Sequence, residues 1–114
     1  MTEKDETLIP ETSIVEEFKA LKKKPSQRQW AAWREYCRDA TPDFLTFIEG
    51  KERLRREEKG ICLLLRLQMP LKQIIVVMDI SFQHLYLIRK RLLKKVYGME
   101  GSGRDFDAKI RQEG

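Results

Sequence analysis

The sequence has little of what most catalytic and metal sites are made from: one histidine and two cysteines in 114 residues. His84 has no cysteine or carboxylate at ligand spacing beside it, so histidine-based catalysis and zinc binding have no candidate set. Cys37 and Cys62 lie far apart, lack Cys-x-x-Cys spacing and sit among apolar residues; they read as reduced core thiols in a reducing compartment. No Gly-rich phosphate loop, nucleophile elbow, internal repeat or low-complexity tract is present. The close carboxylates Glu57-Glu58 stand in a run of arginines and lysines that neutralises them, and Asp105 with Asp107 flanks a terminal helix. No catalytic residue, metal or cofactor is therefore expected.

Long apolar runs are missing too. Nothing approaches the roughly twenty residues of a membrane span, and the opening MTEKDETLIP is acidic where a signal peptide is basic and then apolar. The expected location is the cytoplasm, with no membrane contact by this segment.

What is present suits one modest core, since 41% of the residues are apolar. The net charge of +5 is unevenly placed. Residues 1–18 carry six acids against one lysine, whereas Ser81–Gly98 carries five cations and no acid. A segment so one-sided makes a polyanion the first candidate partner.

Along the chain, residues 1–11 read as a flexible acidic leader. Residues 12–54 read as a helical lead-in. Ile14, Val15, Phe18 and Leu21 recur at helical spacing behind a capping box of Thr12-Ser13 with Glu16. Ser26 caps a second helix holding Trp30, Trp33, Tyr36 and Cys37, with both tryptophans expected as core anchors. Thr41-Pro42-Asp43, with threonine as N-cap, starts a third helix that ends near Gly50.

Residues 55–98 then hold three further helices. The first is apolar from Ile61 to Leu67, despite Gly60. The run Ile74–Met78 is β-branched and also fits a buried strand. Helix is preferred because Pro70 suits a first turn, Leu71, Ile74 and Met78 stand at i, i+3 and i+7, and both flanks are helical. Ser81 caps the last, whose Leu85, Ile88, Leu92 and Val96 form an inward stripe ending at Gly98. Its outer face is expected to carry Gln83, His84, Tyr86, Leu87, Lys90, Arg91, Lys94 and Lys95. Residues 99–114 form a turn and a short helix over Asp105–Gln112, with Phe106 and Ile110 docking back. The expected fold class is all-α, a helix-turn-helix three-helix core preceded by two or three helices and followed by a short C-terminal helix. Two helices joined by Met78-Asp79-Ile80-Ser81 behind another buried helix give that layout.

Lys72-Gln73-Ile74, Asp79-Ile80-Ser81, Leu85, Arg89, Arg91-Leu92, Lys94-Lys95 and Gly98 resemble the LuxR-type helix-turn-helix DNA-binding domain of bacterial regulators. The chain departs from that pattern at Gln68, where the family has a turn glycine, at Ile75, where it has alanine, and at His84, where it has threonine. The resemblance implies a domain that binds double-stranded DNA. Tyr86, Leu87 and Lys90 would read base edges, Lys72, His84, Lys94 and Lys95 would hold phosphates, Gln83 could reach either, and Arg91 belongs to the same DNA-facing set. It also implies the output end of a longer sensor protein, one that could be membrane-anchored, and it leaves self-association open. The alternative is a protein-protein interaction module on a helix-turn-helix scaffold without DNA binding.

Overall fold

The computed structural model describes residues 13–113, which form seven helices with no strand among them. These are α1 (Ser13–Ala20), α2 (Gln27–Ala40), α3 (Pro42–Glu49), α4 (Arg56–Arg66), α5 (Leu71–Met78), α6 (Phe82–Tyr97) and α7 (Gly103–Gln112). The leader expected over 1–11, and Thr12 of the first capping box, lie outside the described residues.

Local signals set most boundaries. Ser26 Oγ accepts the Gln29 N–H at 3.2 Å while Gln29 Oε1 accepts the Ser26 N–H at 2.9 Å, closing the capping box that begins α2. Thr41 departs from its expected N-cap role. Its hydroxyl donates to the Cys37 carbonyl at 3.2 Å, as does its own N–H at 2.8 Å, so it closes α2 by satisfying an orphan carbonyl. Pro42 then starts α3 unaided by a side-chain cap.

The Ile74–Met78 run is helical. Helix α5 stops where Asp79 takes a left-handed backbone (φ 57°), with the Asp79 and Ile80 N–H groups returning to the carbonyls of Val76 and Ile75. Ser81 Oγ accepts the His84 N–H at 3.0 Å and opens α6, whose axis meets that of α5 at 99°. Helix α6 ends at Gly98 in the left-handed region (φ 66°), as the glycine suggested.

One buried cluster runs from Phe18 of α1 to Ile110 of α7, so the lead-in and the α4–α6 unit share a core. Trp33 is fully buried and stacks on Phe18 with ring centroids 4.7 Å apart, while Trp30 is only half-buried at the edge. On α5 the inward residues are Ile74 and Val77; Leu71 and Met78, expected inward, are half-buried. Gln73 joins the two parts of the chain. Its Nε2 donates to the carbonyls of Phe18 at 2.7 Å and Leu21 at 2.8 Å, at the C-terminal end of α1.

The stripe Leu85, Ile88, Leu92 and Val96 is buried, and so are Arg89 and Leu93. The arc is wider than a single stripe because α7 packs against both α6 and α4, with Phe106 and Ile110 fully buried. Helix α7 begins two residues before its expected start, since Ser102 and Asp105 make a capping box. Arg89 meets Asp107 across this contact in a bidentate pair, at 3.1 Å and 2.6 Å. Gly103 makes room for it: a Cβ there would lie 2.8 Å from Arg89 Cζ. The carboxylates Asp105 and Asp107 are thus a cap and an ion-pair partner.

Candidate nucleic-acid interface

Burying Leu85, Ile88, Leu92 and Val96 leaves the opposite face of α6 for solvent, and the structure brings seven of the sequence-derived site residues together there. Gln83, His84, Tyr86, Leu87, Lys90, Arg91 and Lys94 are all exposed along α6. Lys72 is exposed on the first turn of α5. Phe82, which the sequence reading left out, joins Tyr86 and Leu87: the three are 53%, 46% and 49% exposed. It stands three residues before Leu85 but precedes the first full turn, where no neighbouring helix covers it. The face is divided: Phe82–Leu87 carries no lysine or arginine, whereas Lys90, Arg91 and Lys94 follow it.

Lys95 does not join it. Its ammonium donates to both carboxylate oxygens of Glu58, at 3.0 Å and 2.9 Å, and it is turned toward α4. The physical reason is Glu58 itself, which is 2% exposed and needs a counter-charge. Burial opposes ionisation of that carboxyl, but the Arg55 N–H at 2.8 Å and the Lys95 ammonium outweigh it and hold the group below the usual carboxylate range. The neutralising cation comes from α6, not from the neighbouring arginines.

Because the folded-state value is depressed, this contact contributes fully above the unfolded carboxyl value of about 4.3 and is lost as pH falls through the folded value. Glu58→Gln is expected to lower the unfolding free energy by about 1.5–3 kcal/mol at neutral pH, as for a charge-assisted hydrogen bond. Denaturant titrations at pH 7 and pH 3 check this. The gap between variant and native chain closes at the lower pH; an equal gap at both would remove Glu58 as the titrating group.

Among the remaining cations, Lys72, Lys90 and Arg91 have no carboxylate within 4.0 Å among the described residues. Lys94 contacts Glu100 at 2.5 Å, and that contact holds the Glu100 carboxyl below its usual range. Both groups are exposed, so the pair is weak and a phosphate can replace Glu100.

Tertiary structure adds three cations that no helical pattern or motif marks in the sequence. Lys22, Lys23 and Lys24, in the α1–α2 loop, line one wall of a shallow hollow whose other wall is Ile75, Val76, Asp79 and Ile80. Ile75 thus faces this loop. No signal in the sequence places residue 23 beside residue 79.

The other features are structural. A groove between α2 and α4, floored by Trp30 and Leu63, is bridged by the Arg34–Glu49 ion pair. Cys37 and Cys62 are unpaired and fully buried, and burial pushes the Cys37 thiol up to about 12 and the Cys62 thiol further. No group of three metal-ligating side chains forms among the described residues, and no single described helix is long and apolar enough to cross a membrane. No protein-family model, curated protein or solved structure matches this chain.

Proposed function

We propose that this chain is a sequence-specific DNA-binding domain, with α4–α6 as a LuxR-like helix-turn-helix and α6 as the recognition helix. In this reading it is the output domain of a bacterial transcriptional regulator. The observation that carries the reading is the division of α6, set at 99° to α5: an inner stripe fully packed and an outer face of glutamine, aromatic and cationic side chains. A helix of roughly 10–12 Å diameter enters a major groove about 12 Å wide. Gln68 adds support, because it takes φ 62° at the position where the family has a turn glycine.

Tyr86, Leu87 and Lys90 face the base edges, where lysine donates to guanine and leucine touches a thymine methyl. Lys72, His84, Arg91 and Lys94 face the backbone, and Gln83 serves either. Lys95 is withdrawn from this set by Glu58. Lys90→Ala is expected to weaken binding to a preferred site by about 1–3 kcal/mol and to change binding to unrelated duplexes little. Lys94→Ala is expected to weaken both evenly and to reduce the slope of log affinity against log salt by about 0.9. Fluorescence anisotropy on a site selected from a genomic library measures both; equal losses on all sequences for both variants would contradict the assigned roles.

The exposed Phe82, Tyr86 and Leu87 favour a second reading, a protein-binding module on the same scaffold. It predicts a partner occupying this face and no duplex binding even at low salt.

A further inference from the structure

We infer that Lys22, Lys23 and Lys24 form a second phosphate-binding surface at the N-terminal end of α6, so that DNA backbone is gripped at both ends of the helix. The inference rests on the DNA-binding reading and extends it outside the helix-turn-helix.

The N-terminal half of α6 has no lysine or arginine on its outer face; the first, Lys90, stands eight residues after Phe82, about 12 Å along the axis. A helix in the major groove runs between two phosphate strands, and cations at one end reach only one of them. The missing charge is supplied by the α1–α2 loop, whose three lysines line a shallow hollow shared with Asp79 and Ile80, next to the Ser81 cap.

The loop is held in place at both ends. Gln73 of α5 binds the carbonyls of Phe18 and Leu21 just before it, and Pro25 is buried and Ser26 capped just after it. All three lysines are exposed, and none has a carboxylate within 4.0 Å among the described residues. Asp79 is the one acid lining the hollow, leaving an excess of two positive charges there. A loop tied to the first helix of the pair moves with it, so its charges keep a fixed register to α6, as phosphate contacts that orient a reading helix require.

The test uses the 114-residue chain with Lys22, Lys23 and Lys24 all replaced by glutamine, on the preferred duplex and on an unrelated one, across a salt series. The slope of log affinity against log salt is expected to fall by about 2.7, three phosphates at about 0.9 each, with similar losses on both duplexes. The thermal midpoint is expected to stay at the native value because all three side chains are exposed. An unchanged slope, with the native chain binding DNA normally, overturns this inference and leaves the DNA reading standing. A loss confined to the preferred duplex overturns it as well, since that marks base reading. If the native chain binds no duplex, the parent reading falls and this one with it.

Discussion

Asp107→Ala is expected to lower the unfolding free energy by about 3–5 kcal/mol, the cost of stranding one partner of a buried ion pair. The Arg89 and Asp107 side chains are only 10% and 11% exposed, and the carboxylate takes both guanidinium bonds. Without it, the Arg89 guanidinium is left beneath α7, hemmed in by Gly103, with no other hydrogen-bond acceptor among the described residues. Helix α7 also touches both α4 and α6, so the loss falls where the back of the outward-facing helix is supported. Denaturant unfolding with a linear extrapolation reads the change. A double variant, Arg89→Met with Asp107→Leu, separates charge from packing and is expected to recover most of the stability, because apolar replacement of a buried pair is often neutral or better. A loss below about 1 kcal/mol for Asp107→Ala would mean that Arg89 escapes to solvent and that the pair does not hold α7 down.

Binding to a preferred duplex is expected to weaken about two-thousandfold between about 50 and 200 mM salt, if Lys72, Arg91, Lys94 and the three loop lysines each displace one counterion. With the loop lysines replaced, the same change of salt is expected to cost only about fortyfold, because three contacts remain. The magnitude discriminates between readings. Recognition of a protein through Phe82, Tyr86 and Leu87 buries apolar surface and depends weakly on salt, so absence of duplex binding at the lowest salt would favour a protein partner. Isothermal titration or anisotropy at four or five salt concentrations is sufficient.

Much of the architecture was legible because it rests on signals only a few residues long. Ser26 with Gln29, Pro42, Ser81 and Gly98 mark helix ends wherever the helices later pack. The ambiguous Ile74–Met78 run was resolved by its neighbours, since eight residues between Pro70 and Asp79 fit two turns of helix. Thr41 holds the expected N-cap position of α3, but its hydroxyl serves the end of α2, because a hydroxyl between two helices can serve either and the sequence does not say which end lacks a partner.

The site was legible to a different degree. Periodicity separates the two faces of α6, and it placed Gln83, His84, Tyr86, Leu87, Lys90, Arg91 and Lys94 correctly on the outside. It failed for Lys95 and gave no position to Arg89, two cations at the margin of the buried stripe. Arg89 and Lys95 border Ile88 and Val96, and whether such a side chain turns in or out depends on a carboxylate waiting on another helix.

The sequence alone determined that the described chain is helical, where most helices begin and end, and which stripe of α6 is apolar, because those properties follow from contacts within about one turn. Only the tertiary structure decided which charges are free. Asp107 claims Arg89 from 18 residues away, Glu58 claims Lys95 from 37, and the Lys22–Lys24 loop is carried to the start of α6. The cost of removing a charge from water is set by whichever group comes to lie beside it in space, and no local pattern along the chain encodes that neighbour.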